Sequence, residues 1–307
     1  MNVIETHGLA KRYGRTWALK DAALAIPDGY VVALVGPNGA GKTTLLHLSV
    51  GLARPTTGQV TVLGSEPAGS PAALDQIAFV AQDAPLYKNL SVTDMLHLTR
   101  NLNRSWDQLR AESRLKELGI PLNRKVGKLS SGQQAQLALT VAVARRPRLL
   151  ILDEPLASLD PLARHDFMAS LMAAVAEDGL SVVLSSHVIA DLERVADYLI
   201  VLSRGKVQVA GEVEELLAVH AMLTGPAAAA DDLAERLAVV YARRAGAVAQ
   251  LLVRITGAAE PAPFGWEAGP VSLEELVLAY LREPGAAALP GPASTTARAP
   301  HHTGIPA

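Results

Sequence analysis

The stretch GPNGAGKT, residues 36–43, limits the possible folds of this 307-residue chain more than any other part of its sequence. The apolar run YVVALV precedes it, and the helical run TTLLHLSV follows its lysine. A strand, a glycine-rich turn and a helix in this order match the phosphate-binding loop G-x-x-x-x-G-K-[ST]. Glycines let backbone N–H groups approach phosphate oxygens, and a helix N-terminus adds partial positive charge. The stretch therefore predicts an α/β fold that binds a nucleoside triphosphate.

Two side chains of this loop carry most of its expected chemistry. Lys42 is expected to supply a full positive charge to the β- and γ-phosphates, and the Thr43 hydroxyl is a candidate Mg²⁺ ligand. A glycine-rich turn with a surface lysine is the alternative, which the strand–turn–helix context disfavours. The predicted nucleotide contacts of the loop are Gly36, Pro37, Asn38, Gly39, Ala40, Gly41, Lys42, Thr43 and Thr44.

A pair of carboxylates ends a second apolar run, LLILDEP, at residues 149–155. Ligands of open α/β sheets bind at the carboxyl ends of strands, so Asp153 is a candidate to hold Mg²⁺ directly or through water. Glu154 is expected to point the other way along the pleat, where it can take a proton from an attacking water. An apolar run followed by Asp-Glu also simply ends many strands, so this prediction depends on the phosphate loop upstream.

Composition excludes several classes of protein. The formal net charge is −2, which is not the basic field of nucleic-acid-binding proteins, and no nucleic-acid partner is expected. Cysteine is absent, which excludes thiol chemistry and disulfides. The apolar runs around Leu137 and Val248 are broken by Arg145, Arg146 and Arg254, so no predicted helix spans a bilayer. A role at a membrane therefore requires a partner that spans it.

Short apolar runs alternate with helical ones, which is typical of a buried parallel sheet. The clearest of these predicted strands are residues 30–36, 148–153 and 180–186. Residues from about 88 to 146 predict an inserted helical subdomain. Alanine-rich sequence, a strand and the final helix VSLEELVLAYLRE predict a small C-terminal domain over 220–283. Residues 284–307 are rich in proline, glycine, alanine and threonine, and predict a disordered tail.

The polar stretch LSSGQQ, residues 129–134, precedes a smooth apolar helical run. In order, GPNGAGKTT, LSSGQQ, LLILDEP and SLD resemble the ATPase subunit of an ABC transporter over roughly residues 1–217. LSSGQ is the most specific of these motifs. The resemblance implies a P-loop NTPase with a RecA-like parallel sheet, an antiparallel β subdomain and an inserted helical subdomain. It assigns residues 1–219 to this ATPase domain, with a small α+β extension at 220–283.

In this family two ATPase domains pair head to tail, and each ATP lies between the phosphate loop of one and the LSSGQ-type signature of the other. The resemblance therefore implies that the signature residues Ser130, Ser131, Gly132 and Gln133 contact the partner's ATP. The plainer interpretation is that Ser130 or Ser131 caps the following helix, and a cap is compatible with a ligand contact.

Further family positions match residue by residue. Tyr13 is implied to stack on adenine, and Asp160 to lie in the loop that crosses the dimer interface. Gln82 corresponds to the glutamine that senses Mg²⁺ and the attacking water, and His187 to the switch histidine at the γ-phosphate. The plainer alternatives are a strand tyrosine, a helix N-cap aspartate and ordinary polar residues. The implied catalytic set is Lys42, Gln82, Glu154 and His187, and the implied Mg²⁺ ligands are Thr43, Gln82 and Asp153.

Two positions depart from the family pattern. Ser131 stands where glycine is usual, which places in doubt the close approach of the signature to the partner's ATP at this position. Gln136 stands where a basic residue is common, which places one dimer or subdomain contact in doubt.

The resemblance implies an ATP-binding and ATP-hydrolysing subunit that homodimerises, or pairs with a similar chain, on the cytoplasmic face of the membrane. It is expected to drive a separate permease, with Pro85, Leu86 and Tyr87 near the coupling contact. The ending VSLEELVLAYL resembles the extension of the branch that exports drugs, polysaccharides or other hydrophobic compounds, so export is favoured. Alternatives are a soluble ABC-type ATPase acting on ribosomes or DNA, a nucleotide-sensing regulator and a phosphate-loop kinase.

Overall fold

The computed structural model describes residues 1–67, 69–82, 86–255 and 263–288. The strands of these residues are β1 (Asn2–Tyr13), β2 (Thr16–Pro27), β3 (Val31–Val35), β4 (Thr57–Val62), β5 (Ile77–Val80), β6 (Leu149–Asp153), β7 (Ser181–Ser186), β8 (Tyr198–Ser203), β9 (Lys206–Glu212), β10 (His220–Pro226), β11 (Ala238–Ala245), β12 (Val248–Arg254) and β13 (Glu267–Gly269). The α-helices are α1 (Lys42–Ser49), α2 (Pro71–Asp75), α3 (Val92–Leu102), α4 (Gln108–Glu117), α5 (Ser131–Ala144), α6 (Pro161–Asp178), α7 (Val213–Ala218), α8 (Ala230–Arg236) and α9 (Leu273–Arg282). Short 3₁₀ turns lie at Val126–Lys128, Ile189–Asp191, Ala227–Ala229 and Pro284–Ala288.

A six-stranded sheet in the order β5-β6-β7-β3-β8-β9 forms the centre of the fold. Its first five strands are parallel, and β9 pairs antiparallel with β8. Every residue of β3, β6 and β7 is buried, as expected for apolar runs covered on both faces of a parallel sheet. Since parallel strands end at the same edge, the phosphate loop after β3 and the acid pair at the end of β6 are brought together.

A second, antiparallel sheet in the order β2-β1-β4 lies over one face of the central sheet. Its inward residues, among them Ile4, Leu19 and Val60, share one apolar cluster with α1 and with Leu34 of β3. This packing holds the strand β2 against the phosphate loop.

The helices α3, α4 and α5 form a separate cluster around Leu96, Leu115 and Leu137. Ser91 starts α3 with a capping box, in which its hydroxyl accepts from the N–H of Asp94 and the Asp94 carboxylate accepts from the N–H of Ser91. These helices lie within the range 88–146 that the sequence assigns to a helical subdomain.

The C-terminal region contains a four-stranded antiparallel sheet in the order β11-β12-β10-β13. Neighbouring residues of β12 face opposite sides of this sheet, and both sides are buried over residues 251–254. Leu251 packs in a cluster with Leu233 of α8, whereas Leu252 belongs to the main core that contains Leu152 of β6. The C-terminal sheet and α9 therefore share a continuous core with the nucleotide-binding part.

The prediction of a disordered tail from residue 284 is wrong for its first residues. Pro284–Ala288 form a 3₁₀ turn, because Ala286 is buried in the main core beside α9. Residues 289–307 lie outside the described part of the chain. None of the helices in the described ranges is long and apolar enough to cross a bilayer.

A buried polar cluster joins the C-terminal elements. His220 Nδ1 lies 2.6 Å from Leu216 O, and His220 Nε2 lies 2.9 Å from the Tyr280 hydroxyl. A carbonyl can only accept, so Nδ1 carries the proton and Nε2 accepts from Tyr280. Burial, and then the charge of Arg254, lower the pKa of His220, although the bond to Leu216 opposes this shift.

This cluster predicts a component of acid sensitivity in folding. The unfolded chain protonates His220 near its ordinary pKa of about 6.5, while the folded chain does so only at lower pH. The unfolded state therefore binds more protons, and the free energy of unfolding falls as the pH decreases below about 6.5. Urea titrations between pH 7.5 and 5 measure this decrease. In His220→Asn, which keeps a donor for Leu216, the decrease should be smaller; an equal slope in both proteins would contradict the assignment.

Candidate functional site

A cavity of about 480 Å³ opens at the carboxyl edge of the central sheet. Strand β3 delivers the phosphate loop to its floor, and α1 begins at Lys42. The residues that line it are Ala18, Pro37, Asn38, Gly39, Ala40, Gly41, Lys42, Thr43, Thr44, Gln82, Glu154 and His187. The structure thus gathers most of the predicted loop residues with all four predicted catalytic side chains.

The loop lies directly against two backbone carbonyls. A Cβ at Gly36 would lie 2.2 Å from Leu202 O, and a Cβ at Gly41 would lie 2.4 Å from Ala18 O. Gly41 also has φ +108°, which side chains rarely adopt. Gly205 N, in the turn after β8, donates to Ala40 O at 3.0 Å. The loop therefore has its shape imposed by β2 and by the turn after β8.

Three charged or polar groups form a chain across the cavity. Lys42 Nζ lies 3.1 Å from Glu154 Oε1 and donates to Gly36 O at 2.7 Å. His187 Nδ1 lies 2.7 Å from Glu154 Oε2. The side chains of Lys42 and Glu154 are 6% and 8% exposed, while that of His187 is 46% exposed. Glu154 thus connects Lys42, the predicted phosphate-binding lysine, to the histidine that follows β7.

The reason given above for the orientation of Glu154 is wrong. Strand β6 ends at Asp153, and Glu154 has φ +48°, so the alternation of the pleat does not place its side chain. Instead Glu154 N donates to Ser185 Oγ at 2.8 Å, and Ser185 Oγ donates to Asp153 Oδ1 at 2.6 Å. This serine, which the sequence analysis did not select, holds the Asp153 carboxylate and the Glu154 backbone through one hydroxyl. It is one of three serines in β7, so the sequence gives no signal that singles it out.

The signature residues and Asp160 do not line this cavity in the single chain. Ser130 is the N-cap of α5, and its hydroxyl accepts from Gln133 N in a capping box, so the plainer interpretation is correct for Ser130. Asp160 similarly caps α6 by accepting from Ala163 N at 3.0 Å. A Cβ at Gly132 would lie 3.0 Å from the Cβ of Ala163, so the starts of α5 and α6 are in contact.

Tyr13 also lies outside the cavity lining. It ends β1 with its side chain half exposed, and Lys11 Nζ lies 5.0 Å from its ring centroid. Its ring is accessible to a flat ligand, while Ala18 of the neighbouring strand β2 lines the cavity. Ala18 was missed by sequence reasoning because a small apolar strand residue carries no chemical signal.

Comparisons with known proteins identify the family. Residues 19–157 match the family model described as ABC transporter. The lantibiotic transport ATP-binding protein SrtF of Streptococcus pyogenes is 32% identical over 206 residues, with 67% of this chain and 89% of SrtF covered. This chain belongs to the ABC transporter family. The sulfate/thiosulfate import ATP-binding protein CysA of Synechocystis sp. is 34% identical, with 68% of this chain but only 61% of CysA covered.

Solved structures support the same assignment for the ABC transporter chain. An ATP-binding subunit of an ABC transporter matches with a TM-score of 0.63 and 28% identity, over 70% of this chain and 92% of that one. CbiO1 of Clostridium perfringens, described as part of the cbiONQ transporter complex, matches with a TM-score of 0.62 and 27% identity, over 71% and 91%. A dimeric cassette in a post-hydrolysis state with ADP and Pi matches with a TM-score of 0.61 and 27% identity, over 68% and 98%. The predicted fold class and the prediction of an ATPase are confirmed.

The donor set of this ABC ATPase fits a magnesium ion that arrives with the nucleotide. Thr43 and Gln82 line the cavity, and Asp153 is 1% exposed behind it. All three present oxygen atoms, which Mg²⁺ prefers, and few protein ligands suffice where phosphates and waters complete the octahedron.

The two departures from the family pattern differ in environment. Ser131 is exposed in the first turn of α5, where its side chain has room. Gln136 is buried, and within the described chain neither its amide nitrogen nor its amide oxygen has a hydrogen-bond partner. Of the predicted coupling residues, Leu86 is partly buried and Tyr87 is exposed, whereas Pro85 lies outside the described residues.

The contact of Gly36 with Leu202 predicts a large difference between two glycines of the same loop. Gly36→Ala places a methyl group against a backbone carbonyl that cannot rotate away, so nucleotide binding should be lost or the fold should be destabilised by several kcal/mol. Gly39→Ala meets open space and suffers only from φ +77°, at about 1 kcal/mol. Fluorescent-nucleotide titration and thermal unfolding measure both variants. Equal losses of nucleotide affinity and stability in the two variants would contradict the close contact of the loop with Leu202 of β8.

Proposed function

We propose that this chain is the ATP-binding and ATP-hydrolysing subunit that powers a membrane transporter through head-to-tail dimerisation. One observation carries the proposal. The cavity holds the phosphate loop and its catalytic side chains, while the signature at residues 130–133 lies elsewhere on the surface with Ser130 and Ser131 exposed. A second copy in the opposite orientation brings a signature to each cavity.

Each group of residues in the site has a separate proposed role. Backbone N–H groups of the loop and the start of α1 hold the phosphates, and Lys42 leaves Glu154 to contact the β- and γ-phosphates. Mg²⁺, when bound through Thr43, Gln82 and Asp153, neutralises charge on the phosphates. Tyr13 stacks on adenine. The signature of the partner copy contacts the γ-phosphate through Ser130, Ser131, Gly132 and Gln133. Asp160 lies in the loop that crosses the dimer interface.

Glu154 then acts as the general base. With Lys42 engaged by phosphate, its carboxylate keeps the contact with His187 and accepts a proton from the attacking water, which Gln82 helps to orient. Such a base contributes about 10²–10⁴ in rate. The exposed His187 meets the γ-phosphate, so the presence of that phosphate biases the closed state and its release permits reopening.

Two inactive variants test the head-to-tail arrangement. Lys42→Ala should remove most nucleotide binding, and Ser130→Arg should remove hydrolysis while the single chain still binds nucleotide. In a mixed dimer, the intact phosphate loop of the Ser130→Arg chain meets the intact signature of the Lys42→Ala chain. Mixing the two proteins should therefore restore ATP turnover that neither has alone, measured as phosphate release. The matched control is a mixture of Lys42→Ala with Glu154→Gln. Neither of these chains has both Lys42 and Glu154, so no site in the mixed dimer is complete and turnover should stay absent. If the first mixture shows no recovery either, composite sites are excluded.

The chain is proposed to act on a separate permease at the cytoplasmic face of the membrane. Tyr87 is 62% exposed near the Gln82 loop, and Leu102 and Leu109 of the helical subdomain are 74% and 80% exposed. Exposed large apolar side chains of this kind fit contact with a membrane subunit. CbiO1, which this chain resembles, belongs to a multi-subunit transporter complex.

Export is the proposed direction, on the resemblance of the C-terminal extension to that of export-type subunits. The relatives include proteins named for lantibiotic and bacitracin transport as well as for import of sulfate and ferric iron, so relatedness alone does not choose between directions.

Capture of the closed complex tests the transporter assignment. Tagged Glu154→Gln with ATP and Mg²⁺ should stall as a dimer and retain a polytopic membrane protein in stoichiometric amount from solubilised membranes of the source cell. Glu154→Gln combined with Ser130→Arg is the control that should not close and should retain less of it. Recovery of ribosomal or other soluble partners alone would contradict the transporter function and favour the soluble ATPase.

A further inference from the structure

We propose that the C-terminal helix α9 is a positioning element for the switch segment, residues 187–192, and through it sets the rate of ATP hydrolysis. The inference rests on the proposed function, because it assumes that His187 acts at the γ-phosphate. It assigns to the C-terminal extension a role in the reaction itself.

The first observation is where α9 lies. It packs against β8 and against the 3₁₀ turn Ile189–Asp191, which begins two residues after His187. The apolar face of α9, formed by Leu273, Leu276, Val277 and Tyr280, belongs to the same core cluster as Leu192 and Ile189. The residues that follow His187 are thus packed against the C-terminal helix.

The second observation is that the His187 side chain is half exposed. Its side chain is 46% exposed and contacts Glu154. The preceding backbone is fixed locally, since Val188 N donates to Ser186 Oγ at 3.0 Å. Beyond Val188, Leu192 N donates to Ile189 O, and both side chains pack in the main core, where α9 supplies part of the surface that buries them.

The third observation is that the turn also connects to the dimer-facing loop. Asp191 Oδ2 lies 3.5 Å from Arg164 Nη1 of α6, and Arg164 Nε donates to Leu159 O at 3.0 Å, next to Asp160. A displacement of the turn by α9 therefore reaches both His187 and the start of α6.

The fourth observation is that α9 is anchored by directional bonds. Tyr280 is fully buried, and its hydroxyl accepts from Arg254 at the end of β12 and donates to His220 at the start of β10. His220 in turn donates to Leu216 O of α7. A helix held this way transmits its position to the turn, since packed cores deform little.

A matched pair of core truncations tests the inference in the full chain. Leu276 of α9 is 0% exposed in the main core, and Leu251 of β12 is 1% exposed on the other face of the C-terminal sheet. Leu276→Ala and Leu251→Ala remove the same atoms from the same domain. Thermal unfolding reports their loss of stability, and ATP turnover reports kcat and KM for each.

Leu276→Ala is expected to lower kcat by about 10- to 100-fold, as for small misplacements of catalytic groups, while nucleotide affinity measured without Mg²⁺ stays unchanged. Leu251→Ala should keep the wild-type kcat at a comparable loss of stability. Leu276→Met, which nearly conserves volume, should restore turnover. If Leu276→Ala does not fold, Val277→Ala makes a smaller cut in the same face.

Equal kcat for Leu276→Ala and the wild type, or equal decreases in kcat for both truncations, would overturn the inference alone. A wild-type chain without ATP turnover would overturn the proposed function as well, so the two failures are distinguishable.

Discussion

The contact of the phosphate loop with two backbone carbonyls underlies the rest of the site. Leu202 O lies 2.2 Å from where a Cβ of Gly36 would be, and Ala18 O lies 2.4 Å from where a Cβ of Gly41 would be. Because one carbonyl belongs to the central sheet and the other to the antiparallel sheet, the loop can take its shape only when both sheets are packed together. Phosphate binding is therefore a property of the assembled domain, and the short motif alone does not produce it.

Lys42, Glu154 and His187 form one connected cluster beside the phosphate loop. Lys42 and Glu154 are both nearly buried, and each gives the other its nearest opposite charge. Under the proposed function, a phosphate group competes with Glu154 for Lys42, which leaves the carboxylate in contact with His187. The contact between Lys42 and Glu154 thus couples the proposed general base to phosphate binding.

Motifs with strict local chemistry were predictable from the sequence. The loop, the acid pair and the cap of α6 by Asp160 depend on a few neighbouring residues, and the structure has them close to the expected positions. Glu154 lies in the cavity, but the pleat does not place it there, because its backbone is left-handed and its N–H donates to Ser185 of the neighbouring strand. Ala18 and the burial of Ala286 depend on long-range packing, which a pattern of single residues does not encode.

The two faces of β12 bear on how this chain evolves and can be engineered. Similarity to other cassettes covers about 70% of the chain. A designer would cut near Leu217, where the resemblance seen in the sequence ends. Yet Leu252, Leu276 and Tyr280 fill the same core as Leu199 and Val201 of β8. A chimaera joined at that boundary inherits an unmatched apolar surface on the nucleotide domain. A chimaera made from two relatives should therefore take α9 and β8 from the same parent.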